Sequence, residues 1–198
     1  MMVPEAGKMG CVKRLILLRH AKSGDDLVER DFDRQLSRRG QRAAMRIGQW
    51  FADEAMNFDA VIASPAQRVR ETIEAVERGI GFGLEPRFEP RIYLASAATL
   101  LEVVQATDDT VGSLLLIGHN PGLEDLVLML AGDDDALRAE AEVKYPTATV
   151  AVLDCDIDRW ADLDEACGTL SAFVRPRDLD PALGPSSESP VILPVFEQ

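Results

Sequence analysis

The fold is decided by two apolar runs, Leu15-Ile16-Leu17-Leu18-Arg19-His20 and Leu114-Leu115-Leu116-Ile117-Gly118-His119, each of which ends in a histidine. No other histidine occurs in the chain. A continuous apolar run is typical of a strand that is buried on both faces of a parallel sheet. The carboxyl ends of parallel strands lie side by side, in the crevice where such folds bind ligands. His20 and His119 are therefore expected to share one site.

Strand-like runs alternate with amphipathic helical patterns along the chain, which is typical of an α/β fold. The sequence predicts a three-layer α/β/α sandwich with a mostly parallel central sheet. The expected strands cover 13–18, 59–63, 113–117, 147–153 and 169–174, the last two forming an antiparallel edge. Helix N-termini are predicted at the capping residues Ser37, Ser64, Ser96 and Asn120, two of which precede a proline.

Composition limits the class of protein. With 198 residues and 46% hydrophobic content, the chain is expected to form one globular domain. Its net charge of -13 argues against nucleic acid or an anionic membrane as partner. The three cysteines, Cys11, Cys155 and Cys167, are odd in number and far from any metal-binding spacing, so neither a disulfide framework nor a zinc site is predicted.

The domain is expected to cover 13–178, between a flexible leader at 1–12 and a proline-rich tail at 179–198. The leader has no apolar segment of the kind found in a signal peptide, and no run approaches the ~20 residues of a membrane span. A cytoplasmic location is predicted. No cofactor and no metal ion are expected, because the two histidines are assigned to anion chemistry.

An anion is the expected ligand of the shared site, because Arg19 stands next to His20. Arg68 follows the predicted strand at 59–63 by about one helical turn, so it is expected to face the same crevice. Two guanidinium groups bind a phosphoryl group through planar, bidentate hydrogen bonds and stay charged at every relevant pH. An imidazole with a pKa of about 6.5 suits nucleophilic or proton-transfer chemistry at neutral pH.

These motifs resemble those of the histidine phosphatase superfamily, which contains phosphoglycerate mutase, and within it the small SixA-like phosphohistidine phosphatases. The residues that carry the resemblance are Arg19-His20-Ala21-Lys22-Ser23, Asp33-Arg34-Gln35-Leu36-Ser37, Ser64-Pro65-Ala66-Gln67-Arg68 and Gly118-His119-Asn120-Pro121-Gly122. Ala21 replaces the glycine usual in the first motif. The match covers roughly 13–178, and it implies a phosphoglycerate mutase-like fold.

By this resemblance, His20 is the nucleophile that becomes phosphorylated, while Arg19, Arg68 and His119 bind the phosphoryl oxygens. The second nitrogen of His20 should then be held by a hydrogen bond that fixes the tautomer. Family members that hydrolyse phosphate esters also use a carboxylic acid to protonate the leaving group. Glu89 is the best-placed residue for that role in this sequence, with Glu102 second.

Three functions stay open at this point. The leading hypothesis is removal of phosphate from phosphohistidine of a phosphotransfer or signalling protein, since imidazole leaves phosphorus easily. The second is a phosphomonoesterase that acts on a small phosphate-containing metabolite. The third is a non-catalytic module that binds phosphorylated proteins. The presence of all four motif residues, Arg19, His20, Arg68 and His119, argues against it.

Overall fold

The computed structural model describes residues 12–24, 30–132 and 136–184. Within these residues one sheet has the order β3-β2-β4-β1-β5-β6. Its strands are β1 (Val12–Arg19), β2 (Ala60–Ala63), β3 (Arg87–Phe88), β4 (Ser113–Gly118), β5 (Val150–Asp156) and β6 (Gly168–Val174). The first four run parallel, and β5 and β6 add an antiparallel edge next to β1.

Helices cover both faces of the sheet. They are α1 (Arg38–Asp53), α2 (Gln67–Ile80), α3 (Ala97–Gln105), α4 (Gly122–Leu130), α5 (Ala136–Val143) and α6 (Pro176–Leu179). Side chains alternate along β1, so Leu15 and Leu17 join the core under α3 and α4. Ile16 and Leu18 join the core under α1 and α2. The predicted α/β/α sandwich with a mostly parallel sheet is confirmed.

Two predicted helix starts are wrong in detail. Helix α2 has Ala66 at its N-cap with no side-chain cap, because the Ser64 hydroxyl is used elsewhere, on His119. Helix α4 likewise lacks a side-chain cap: the Asn120 amide donates to Glu124 and to the Tyr145 carbonyl, and its Oδ1 atom accepts no hydrogen bond from a described residue. Ser37 and Ser96 do cap α1 and α3 as predicted, each accepting a backbone N–H bond.

Residues 179–184, where the proline-rich tail is predicted to start, are folded against the domain. Helix α6 and a 3-10 turn at Pro181–Leu183 pack against α1, so the chain is folded as far as Gly184. Leu183 is buried, and the Arg39 guanidinium donates to the carbonyls of Leu183 and Gly184. Leu183, near the start of the predicted tail, is therefore part of the hydrophobic core. The leader up to 11 and the tail from 185 lie outside the described residues.

Two further expectations can be compared with the described part of the chain. Cys155 and Cys167 are free thiols there, whereas Cys11 lies outside the described residues. None of the helices in the three described ranges is long and apolar enough to cross a membrane.

Helices α1 and α2 touch through glycines, which brings their backbones close together. A Cβ placed on Gly48 would lie 2.2 Å from the Val76 carbonyl oxygen, and one on Gly79 would lie 2.1 Å from the Met45 carbonyl oxygen. A methyl group at either position requires the two helices to move apart. Because α2 carries Arg68, this helix pair also supports the functional site.

We expect Gly48→Ala to lower the free energy of unfolding by about 1–3 kcal/mol, the usual effect of overpacking a close contact. Urea denaturation measures this change. Gly83→Ala is the matched control, because its added Cβ would have no neighbour nearer than the Glu77 Oε1 atom at 4.0 Å. Equal stability of the Gly48 variant and the native chain would contradict a close contact between the helices.

Candidate active site

The two histidines meet at the carboxyl edge of the sheet. β1 and β4 pair in parallel with Arg19 opposite Gly118, and the His20 N–H donates to the Gly118 carbonyl at 3.0 Å. The imidazole rings of His20 and His119 lie 5.0 Å apart between centroids. The expectation that the two apolar runs bring their histidines to one place is therefore confirmed.

His20 is held in one tautomer. Its Nδ1 atom lies 2.8 Å from the Ala21 carbonyl oxygen, to which it donates, and its Nε2 atom accepts from Arg68 Nε at 3.2 Å. The Ala21 N–H donates in turn to the Thr72 hydroxyl. The predicted hydrogen bond on the second nitrogen of His20 is thus present. It leaves Nε2 as the unprotonated nitrogen, whose electron pair accepts the Arg68 N–H.

His20 is also kept neutral. Burial lowers its pKa to about 4, and the positive charges of Arg68 and Arg19 add to this effect. The hydrogen bond to Ala21 and the charge of Asp31 act in the opposite direction. Burial is the largest cause, because an imidazolium loses its hydration when it is enclosed.

Arg68 lies in the first turn of α2 and is only 3% exposed. Besides its bond to His20, its guanidinium donates to the Asp31 carbonyl oxygen at 2.7 Å and to the Asp31 carboxylate at 3.0 Å. The Tyr93 hydroxyl donates to the same carboxylate at 2.8 Å. The bonds from Tyr93 and Arg68 lower the pKa of Asp31, which is therefore ionised.

His119 is 2% exposed and is anchored by a serine. Its Nε2 atom lies 2.8 Å from the Ser64 hydroxyl, while its Nδ1 atom is buried and has no hydrogen-bond partner among the described residues. Burial lowers its pKa to about 3, with contributions from His20 and Arg68. The Tyr93 ring meets the His119 ring edge-on at 5.4 Å.

Arg19 is fixed by the loop before β5. Its Nη1 atom donates to the Tyr145 carbonyl oxygen at 2.6 Å, and the Tyr145 hydroxyl donates to the Leu17 carbonyl oxygen at 2.8 Å. Its Nε atom is buried without a partner among the described residues. Burial lowers the pKa of Arg19, and the charge of Glu124 acts against this. Arg19 therefore keeps donors for a further anion.

The two carboxylates considered as proton donors do not join this group in the described structure. Glu89 forms ion pairs with Arg87 and Arg91 and accepts the Arg91 N–H, so its pKa is lowered to about 2. An acid this strong is ionised at neutral pH and has no proton to give. Glu102 is exposed on α3, and no described contact joins it to either histidine.

Sequence reasoning missed four residues of the site: Asp31, Ser64, Tyr93 and Tyr145. Ser64 directly follows β2, at the same place that His20 and His119 occupy after β1 and β4, and this position was a usable signal. Asp31 stands in a polar loop with no periodic pattern, and Tyr145 acts through its carbonyl. No sequence pattern indicates such contacts.

The described residues 12–24, 30–132 and 136–184 contain no group of three His, Cys, Asp or Glu side chains that could hold a metal ion. The donors around the histidines are the two guanidinium groups, the serine and tyrosine hydroxyls and the imidazole nitrogens.

Comparison with known proteins agrees with this arrangement. The model of the histidine phosphatase superfamily, branch 1, matches residues 15–93. A solved structure assigned as the phosphohistidine phosphatase SixA of Agrobacterium tumefaciens is 33% identical, with a TM-score of 0.69, and is covered over 98% of its length by 83% of this chain. The chain belongs to the histidine phosphatase superfamily.

Other relatives extend the comparison. The structure assigned as SixA of Nakamurella multipartitia is 29% identical with a TM-score of 0.72, and 83% of this chain covers 96% of it. An uncharacterized protein of Mycobacterium tuberculosis is 35% identical over 163 residues, which are 81% of this chain and all of that protein. The predicted resemblance is confirmed. The chain is a phosphatase that uses a histidine nucleophile.

We expect both histidine rings to titrate far below the usual pKa of about 6.5, His20 at about 4 and His119 at about 3. Between the usual pKa of about 6.5 and these lowered values, the unfolded chain binds more protons than the folded chain. The free energy of unfolding therefore falls as the pH is lowered from about 6.5 towards 4. NMR titration of the two ring signals measures both values, and His119→Asn assigns them. A ring that titrates near 6.5 would contradict the burial of that neutral imidazole.

Proposed function

We propose that this phosphatase removes the phosphoryl group from phosphohistidine in a phosphotransfer or signalling protein, with His20 as the nucleophile. The observation that carries the proposal is the fixed tautomer of His20. Its Nδ1 proton is committed to the Ala21 carbonyl, and its Nε2 electron pair lies beside the Arg68 guanidinium. A neutral imidazole next to fixed positive charge suits attack on a phosphoryl group.

The reaction proceeds in two transfers. The Nε2 electron pair of His20 forms a bond to phosphorus, and the bond from phosphorus to the substrate ring breaks with its electron pair on the leaving nitrogen. A substrate ring that is protonated on its other nitrogen leaves as neutral imidazole. Water then attacks phosphorus, the bond to Nε2 breaks, and inorganic phosphate forms with the proton of water passing to phosphate or solvent.

Arg19, Arg68 and His119 are assigned to the phosphoryl oxygens. Arg68 uses three of its five donors in the described contacts, and Arg19 has a buried Nε donor without a partner there. If the Ser64 hydroxyl donates to His119 Nε2, the ring proton is on Nδ1, which then offers one more donor. Fixed donors of this kind stabilise the charge of the transition state without reorganisation.

The choice of phosphohistidine rests on the leaving group. Glu89 is tied to two arginines and ionised, and Asp31 is ionised against Arg68. Without a proton donor, a site loses ~10² to 10⁴ on poor leaving groups but little on good ones. The two solved relatives at 29% and 33% identity are themselves assigned as phosphohistidine phosphatases, which supports the same substrate class.

Trapping of the intermediate tests the nucleophile. We expect denaturation during turnover of a ³²P-labelled phosphohistidine protein to leave an acid-labile label on His20, and His20→Ala to leave none while the chain stays folded. Peptide mapping locates the label. A label on serine or cysteine would refute the mechanism, and tight binding without any label in the native chain would favour the non-catalytic binding module.

A second candidate function, ester hydrolysis on a small metabolite, is favoured by one observation. The Asp31 carboxylate contacts Arg68, the residue assigned to the phosphoryl group. When a phosphoryl dianion replaces the Asp31 carboxylate on Arg68, Asp31 loses its positively charged partner and gains a negatively charged neighbour. Both changes raise the pKa of Asp31. Asp31 could then protonate an ester oxygen.

Relative rates separate the two functions. In excess EDTA, we expect the native chain to cleave a phosphohistidine protein at least about 10² times faster than an alkyl phosphate, because no carboxyl group is protonated beside His20. Steady-state kinetics on both substrates and an aryl phosphate measure the ratio. Equal rates on the two substrates would favour the metabolite phosphatase. In that case the alkyl phosphatase activity should be lost in Asp31→Asn and kept in the control Glu89→Gln.

A further inference from the structure

A cavity of about 370 Å³ opens beside Arg19. Six cationic side chains line it: Arg19, Lys22, Arg39, Lys144, Arg175 and Arg177. They come from the end of β1 and the loop that follows it, from α1, from the loop before β5 and from the start of α6. Four separate parts of the chain thus bring positive charge to one place.

This concentration of charge is unusual for a chain with a net charge of -13. Within the described residues, Arg175 pairs with Glu140 and Asp178, and Arg177 lies 3.9 Å from Asp178. No described carboxylate lies within ion-pair distance of Lys22, Arg39 or Lys144, although Arg39 donates to two backbone carbonyls. The described carboxylates therefore leave a surplus of positive charge around the cavity.

Arg19 connects this cavity to the histidines. It lines the cavity wall, and its charge contributes to lowering the pKa of both His20 and His119. Its buried Nε atom has no partner among the described residues. A ligand in the cavity and a phosphoryl group on His20 would thus share Arg19 as a neighbour.

We propose that the cavity is a second oxyanion site, which binds a phosphate or carboxylate carried by the same substrate whose phosphoryl group is transferred to His20. This inference deepens the proposed function, on which it rests. Ligand pockets span roughly 300–1,000 Å³, so the cavity holds a charged group together with part of the molecule that bears it. The apolar lining of Ala43, Pro146 and Leu183 suits the uncharged part.

Two sources offer this chemistry. The second oxyanion comes either from an acidic side chain near the phosphohistidine of a protein, or from a second phosphate on a small molecule. Lys144 and Arg177 are the residues to change, because both are exposed and neither makes a close ion pair with a described carboxylate. Arg42→Gln with Arg78→Gln is the matched control, since it removes two exposed charges that lie outside the cavity and have no described ion pair.

Calorimetry with inorganic phosphate tests the site without any catalysis. We expect the native chain and the control to bind two phosphate ions. Lys144→Gln with Arg177→Gln should weaken one of the two about tenfold, as expected for the loss of two exposed charge-assisted contacts, and Arg68→Ala should weaken the other. A single phosphate site, or two sites that the Lys144 and Arg177 changes leave unaltered, overturns the proposal whether or not His20 is the nucleophile.

The source of the oxyanion is tested on the same variants. If it is a protein side chain, the KM for an acidic phosphohistidine protein rises about tenfold more than that for phosphoimidazole. If it is a second phosphate, inhibition by fructose 1,6-bisphosphate weakens about tenfold more than inhibition by fructose 6-phosphate. Equal changes within both pairs indicate only a general attraction of anions, and they overturn the assignment of the cavity to the substrate.

Discussion

The parallel pairing of β1 with β4 puts Arg19 opposite Gly118, so the two residues that follow, His20 and His119, leave the sheet at the same edge. Both strands are buried on both faces, and successive side chains enter different cores. A shift by one residue would send every apolar side chain of β1 to the wrong face. The same packing that stabilises the sheet therefore fixes the distance between the two imidazoles.

The electrostatics of the site follow from where that edge lies. Two imidazoles and two guanidinium groups are enclosed together, and burial favours the neutral form of each imidazole while the guanidinium groups stay charged. His20, the proposed nucleophile, is thereby unprotonated at neutral pH without the help of a base. The acidic remainder of the surface repels anions elsewhere, which leaves the cationic edge as the place where a phosphoryl group is attracted.

The sequence was sufficient for the sheet, for the existence of helices α1 to α4 and for the meeting of His20 with His119 and Arg68, because periodicity and strand ends are local signals. It was insufficient where a residue acts through tertiary contact. Ser64 has the sequence of a helix cap, but its hydroxyl binds His119. Glu89 has the right place in the chain for an acid, but two neighbouring arginines hold its charge. The choice between such partners depends on three-dimensional distances that no spacing pattern contains.

Asp31 shows how the site is kept in order without a substrate. Its carboxylate and carbonyl bind the Arg68 guanidinium, which is thereby held in position beside His20. The Asp31 side chain is 47% exposed, so its ion pair is screened by solvent and contributes little to stability. A phosphoryl group carries up to two negative charges and three acceptor oxygens. Under the proposed function, such a group displaces a single carboxylate from Arg68 and meets a guanidinium that is already oriented, so little further ordering is needed when the substrate binds.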